Sequence, residues 1–188
     1  VVSGPGGDAP ALAGLRDRLT TTGAEVHGPL PPGRAAVAVA ALVAGAGPGA
    51  VAIGAGEPDL AALGVPAAIA ATGRRILRSD DPAWDASLPD AAVGLTGADL
   101  AVAETGTLVI AAGPGRPRLT HLLPPLHLCV LRVERVRATL AEALAEIASA
   151  PLPSAVQLVS GPSRTSDLEM RPVTGVHGPL RLGVVLVG

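Results

Sequence analysis

Short, uninterrupted apolar runs recur along this chain, among them Val51 to Ile53, Leu126 to Leu131, Val156 to Val159 and Leu182 to Val187, with helix-patterned stretches between them. Such a run buries both of its faces, as strands do when a parallel sheet is covered on either side. The alternation predicts an α/β fold: a Rossmann-like, mainly parallel sheet flanked by helices. At 188 residues, the whole chain suits a single domain. Its core must be aliphatic, because Trp84 is the only aromatic residue and Phe and Tyr are missing. All 14 basic residues are arginine, which together with the alanine excess points to a biased genome, so single Ala, Gly or Arg matches to short motifs carry little weight.

Local signals place the elements. Asp8 is positioned to cap a helix bearing Leu12, Leu15 and Leu19, which Gly23 ends. Residues 28–33, GPLPPG, read as a loop. Residues 35–56 carry no charge over a length that could span a bilayer, but Gly45, Gly47, Pro48 and Gly49 break them. A helix from about Arg34 to Val43, a turn and a strand are expected there, with no membrane insertion. Short helices are expected from Asp59 and, behind Asp81-Pro82, around Trp84. LAVAETGTLVIAA reads as an antiparallel hairpin turning at Glu104 to Thr107. Thr139 and Glu142, in capping-box spacing, open a helix with Leu140, Leu144 and Ile147 on one face. The first residues show neither an initiator methionine nor a signal-peptide pattern, so the natural chain is expected to begin upstream.

Several function classes are disfavoured. A formal net charge of −2 and the lack of an aromatic-plus-basic stripe argue against nucleic acid. Cys129 stands alone, which rules out an internal disulfide and falls short of the four thiolates of an iron–sulfur cluster. A cytoplasmic location and no cofactor in this chain are expected. His27, His121, His127 and His177 show no paired zinc spacing, so no metal site is expected. GAGPGAVAIGAG contains G-x-G elements but no placed acidic partner for a ribose, so nicotinamide is not expected either.

The polar residues gather in SGPSRTSDLEMRPVTGVHGP, residues 160–179, which hold five hydroxyls, two arginines, two carboxylates and a histidine. If Val156 to Val159 is a central strand, the following loop emerges at the carboxyl edge of the sheet, where open α/β folds bind ligands. Ser160, Gly161, Ser163, Arg164 and Thr165 then form an anion cradle, with Gly161 allowing close backbone approach and Arg164 supplying a bidentate guanidinium. Asp167, Glu169 and Gly178 belong to the same stretch, and the glycines beside His177 could aim its imidazole into a pocket. The alternative is a surface loop turned by Pro162, in which Ser166 or Asp167 caps the next turn. A second cluster is Thr96, Asp99, Glu104, Thr105, Gly106 and Thr107, with Glu104 a candidate base or carboxylate nucleophile, or else an exposed hairpin residue. Glu104, Arg164 and His177 are expected to line one cleft.

GLTGADLAVAETGTLVI, LTHLLPPLHLCVL, SGPSRTSDLE and VTGVHGPLRLGVVLVG, in that order over residues 94–188, closely resemble the LUD-domain family. The resemblance implies a fold similar to that of ribose phosphate isomerases, glucosamine phosphate deaminases and CoA transferases. It also implies a tie to growth on lactate, in which three proteins together oxidise L-lactate to pyruvate and a related subunit carries cysteine-rich ferredoxin-like segments. On that basis this chain is expected to be a lactate-utilization subunit that binds a small anionic ligand and works with iron–sulfur partner subunits. The alternatives are an independent CoA-transferase-like or isomerase-like enzyme using Glu104, and a non-catalytic structural adaptor.

Overall fold

The computed structural model describes residues 9–165, 173–174 and 178–188, with residues 164–165 and 173–174 described at the backbone only. In chain order the elements are α1 (Ala9–Thr21), β1 (Glu25–Leu30), α2 (Pro32–Ala44), β2 (Ala50–Ile53), α3 (Pro58–Ala62), α4 (Val65–Ala70), β3 (Ile76–Arg78), α5 (Trp84–Ser87), β4 (Ala91–Gly97), β5 (Leu100–Val102), β6 (Thr107–Ala112), β7 (Leu126–Arg132), β8 (Val136–Arg137), α6 (Leu140–Ala148), β9 (Ala155–Val159), β10 (Arg164–Thr165), β11 (Val173–Thr174) and β12 (Arg181–Val187). Among the described residues no helix is long and apolar enough to cross a membrane.

Six strands form a parallel sheet in the order β1-β12-β7-β4-β2-β3. One face is closed by α2, α3 and α4, whose Val39, Val43, Leu60 and Ile69 meet Val93, Leu95 and Val130. The other face is covered by a second sheet, β8-β5-β6-β9, with α1. Leu15 and Leu19 of α1, Leu108 and Ile110 of β6, and Leu131 and Leu186 pack between the sheets. Outside the second sheet, Ala143 of α6 packs on Leu100, Val102 and Val109. The expected α/β fold with its mainly parallel sheet is therefore present, though a sheet rather than a helical layer covers much of one face.

The hairpin forms as the pattern predicts, with Leu100 opposite Val109 and Val102 opposite Thr107. So does α6: Thr139 accepts from Glu142 N and the Glu142 carboxylate accepts from the Thr139 backbone, a complete capping box. Asp81 Oδ1 accepts from Ala83 N just ahead of α5, whereas Asp8 lies outside the described residues. Two expectations need correction. Residues 28–30 are not loop but the end of β1, whose Pro29 lacks an N–H and is tolerated because β1 is an edge strand with a register shift at this point. Val156 to Val159 is not a central parallel strand: β9 runs antiparallel to β6 at the edge of the second sheet, and Leu158 is 50% exposed. The loop after it thus does not leave the carboxyl edge of the main sheet. β4, where the sequence pattern predicts no element, is fully buried although its AAVGLTG sequence carries little strand propensity.

Candidate functional site

The site begins with a missing side chain. A Cβ on Gly94 of β4 would lie 1.7 Å from Thr120 O, so only glycine there admits the 3-10 turn Arg118–His121 against the sheet. Gly94 pairs with His127 of β7. The turn therefore delivers His121 to His127, and their ring centroids stand 5.5 Å apart at a tilt of 39°. His127 Nε2 lies 2.9 Å from Thr96 Oγ1, and Thr96 stands opposite Cys129 of β7, so the three form a buried row between the two sheets.

Both imidazoles are held neutral near pH 7. Burial, reinforced by the Arg116 cation, lowers His121 to about 4, and complete burial with the His121 charge lowers His127 to about 3. Burial pushes the Cys129 thiol up to about 12, so it is not a nucleophile at neutral pH. These histidines border a cavity of about 210 Å³ whose wall includes Leu158, Val159, Ser160, Gly161, Ser163 and Gly178. A hydroxyl chain reaches its rim, with Thr105 Oγ1 2.7 Å from Thr107 Oγ1 and Thr107 Oγ1 2.7 Å from Ser160 Oγ.

A second polar assembly sits at the carboxyl ends of β2 and β4. The chain leaves β2 toward β3 and leaves β4 toward β7 on the opposite side, so this crevice is the topological switch point of the sheet. Here Glu57 Oε2 accepts from Gly97 N at 3.0 Å, while Arg116 binds Asp99 bidentately at 2.7 and 2.9 Å. Arg116 Nε lies 3.4 Å from Glu57 Oε1, an ion-pair contact without good hydrogen-bond geometry. Burial raises the Glu57 carboxyl above its ordinary value, outweighing the attraction of Arg116 and the Gly97 hydrogen bond. Arg116 is itself raised: burial opposes its charge, but the hydrogen bonds to Asp99 and the two carboxylate charges prevail. The protein's own turn fills the crevice, since Gly56 N donates to Gly115 O at 2.9 Å and a Cβ on Gly54 would lie 2.6 Å from that oxygen. Alongside, Asp59 pairs with Arg132 and Arg135.

The residues singled out from sequence thus divide. Ser160, Gly161, Ser163 and Gly178 line the cavity, Thr105 and Thr107 join it through hydroxyls, and Thr96 stands behind it bonded to His127. Asp99 belongs instead to the Arg116 network. Glu104 is exposed and its Oε1 accepts from Leu140 N at 2.6 Å, tying the hairpin to the start of α6. Gly106, at φ 64°, packs against Arg18 of α1. Arg164 and Thr165 pair at backbone level with Thr174 and Val173, and their side chains, like the whole of Asp167, Glu169 and His177, lie outside the described residues. Sequence reasoning missed His121, His127, Glu57 and Arg116. The signal for the histidines was their six-residue spacing across Pro124-Pro125, which lets a turn fold back on the strand it precedes. Among the described residues no group of three or more His, Cys, Asp or Glu is disposed to hold a metal ion.

Comparison with known proteins agrees with this architecture. The LUD domain profile matches residues 15–187. The chain is 37% identical over 146 residues to Lactate utilization protein C of Deinococcus radiodurans, covering 75% of this chain and 68% of that protein. It is 41% identical over 118 residues to Lactate utilization protein C of an Exiguobacterium species, covering 55% of this chain and 51%, about half, of that protein. The crystal structure of a DUF162 family protein from Deinococcus radiodurans superposes with a TM-score of 0.71 at 26% identity, over 96% of this chain and 98% of that one. With the family profile matched over residues 15–187 and the fold matched over nearly its full length, the chain belongs to the LUD-domain family.

Proposed function

We propose that this chain is the LUD-domain subunit of a cytoplasmic lactate-utilization system, acting with separate iron–sulfur subunits in the oxidation of L-lactate to pyruvate and holding a small anionic ligand in the cavity beside His121 and His127. The observation that carries the reading is a compact, largely apolar cavity edged by Ser160, Ser163, His121 and His127, in a member of a family whose relatives are named for lactate utilization. At about 210 Å³ it is smaller than the roughly 300–1,000 Å³ of pockets for drug-sized ligands, so it suits a metabolite of a few heavy atoms better than a CoA thioester. Cys129, the single cysteine of the sequence and fully buried, is unsuited to ligate a cluster, which supports the reading that electron transfer belongs to partner subunits. Arg164, on the strand that follows the cavity rim, is the residue proposed to meet the ligand's charge.

The test is purification of the native protein from lactate-grown cells under anaerobic conditions, with bound proteins and metals identified. Iron–sulfur subunits should co-elute, and removal of this chain should abolish growth on lactate while growth on glucose continues. Undiminished growth on lactate without it would refute the assignment.

A further inference from the structure

His121 is 3% exposed, yet its Nε2 is buried without a hydrogen-bond partner among the described residues. Most buried polar groups are satisfied, and one that is not costs stability that the fold must carry. Its neighbour differs: His127 is tied through Nε2 to Thr96. His121 borders the cavity, whose wall combines the apolar Leu158, Val159 and Leu182 with the hydroxyls of Ser160 and Ser163. A fitting ligand sets one oxygen against the imidazole, further oxygens toward the serines, and a short alkyl group on the leucine wall.

We propose that His121 Nε2 is the anchoring hydrogen-bond partner for an oxygen of a compact 2-hydroxy or 2-oxo carboxylate held in this cavity; this deepens the small-ligand reading above and rests on it. The neutral ring can accept from a hydroxyl or donate to a carbonyl or carboxylate oxygen, so both redox forms of such an acid fit the same atom. A ligand without the oxygen on C2, such as acetate, leaves part of the polar wall unmatched. Gly94 and the Arg118–His121 turn fix the ring from behind, which makes the anchor rigid before the ligand arrives.

The experiment is calorimetric titration of the full chain with sodium L-lactate and sodium pyruvate, against acetate and inorganic phosphate. Lactate or pyruvate should bind more tightly than either control. Ser160→Trp, at the exposed rim, should weaken that binding by about tenfold or more by filling the mouth. His121→Leu should weaken it by roughly ten- to a hundredfold while the melting temperature holds or rises, because an unpartnered polar atom has been replaced by an apolar group. His121→Gln, which restores a polar nitrogen near the same place, should recover much of the loss. If Ser160→Trp weakens binding and both His121 variants do not, the anchoring role is wrong and the cavity stands as the ligand site. If no probe binds, or if Ser160→Trp has no effect, the cavity reading falls with it. Should His121→Leu not fold, the His121 imidazole resonance of the wild-type chain decides: movement on adding L-lactate supports the anchor, and constancy at saturation overturns it.

Discussion

The two polar assemblies of this protein differ in how completely they are matched. At the switch point both carboxylates engage Arg116, Asp99 bidentately and Glu57 through an ion-pair contact with Nε, Gly97 N is taken up, and the 113–116 turn fills the crevice. Between the sheets, His127 is bonded to Thr96 while His121 keeps an unpartnered nitrogen beside a cavity. Open α/β sheets usually bind ligands at the first kind of place. Here charge pairing, which still holds Arg116 Nε 3.4 Å from Glu57, and the protein's own turn make the usual ligand position a brace, and the open pocket lies elsewhere. Paired charge and filled space, more than position in the topology, separate structure from site.

The largest effect that would break this comparison is at Arg116. Arg116→Met leaves the Glu57 and Asp99 carboxylates facing each other without their cation, and should cost about 3–5 kcal/mol of stability. Arg116→Lys keeps the charge but loses the two-pronged contact to Asp99, so it should fall between. Guanidinium unfolding curves measure both. If Arg116→Met barely lowers stability but abolishes ligand binding, the brace is the true site and the comparison inverts.

Acid should expose the other assembly. Each histidine has a folded-state value below its ordinary 6.5, about 4 for His121 and about 3 for His127, so the unfolded chain binds more protons in between. Their contribution is fully present above pH 6.5 and is lost as the pH falls toward those folded-state values, at up to about 1.4 kcal/mol per pH unit for each ring. Glu57, raised above its ordinary 4.5, acts oppositely and favours the folded state as the pH falls. Denaturation between pH 7 and 5 should show the histidine slope, and His121→Leu should flatten it. Equal slopes in the two proteins would mean the ring is not held neutral by the fold.

Thr96 sharpens the contrast within the polar row. Thr96→Val removes the hydroxyl from His127 Nε2 at nearly constant shape, leaving a buried ring nitrogen without its partner, for an expected cost of about 1–3 kcal/mol. Thermal unfolding checks it. Because His127 stands behind His121, lactate binding should change less than in His121→Leu, and an equal loss would make His127 rather than His121 the anchor.

Much of this architecture could be read from local chemistry. Thr139 and Glu142 announced α6 because a capping box is a pair of contacts three residues apart, and the 104–107 turn announced the hairpin for similar reasons. Elements set by distant neighbours were hidden. Gly28 and Pro29 look like loop unless β1 is known to be an edge, and β9 looks central unless Leu158 is known to face outward. The same division holds in the site. Ser160 and Ser163 stood out as polar residues in an apolar chain, whereas His121 and His127 meet only because Gly94 lets a turn settle on the sheet.

The smallest effect expected is at Glu104, and it bears on the enzyme alternative. Its carboxylate accepts from Leu140 N at 2.6 Å, and Glu104 N donates to Ala138 O, so the residue fastens the hairpin turn to the first turn of α6. An anion at a helix N-terminus is favourable but partly redundant here, because the Thr139 and Glu142 box already satisfies neighbouring donors. Glu104→Ala should therefore lower stability by about 0.5–1 kcal/mol, and Glu104→Gln, which keeps an acceptor oxygen, by less. Lactate titrations should be unchanged in both. A CoA-transferase-like enzyme requires the opposite outcome, since its carboxylate must attack a thioester carbonyl and carry the acyl group, which an amide cannot do. Thermal unfolding together with an acyl-CoA exchange assay separates the two. Exchange present in the wild-type chain and lost in Glu104→Gln, with melting unchanged, would move the chemistry to the hairpin turn and leave the histidine cavity as packing.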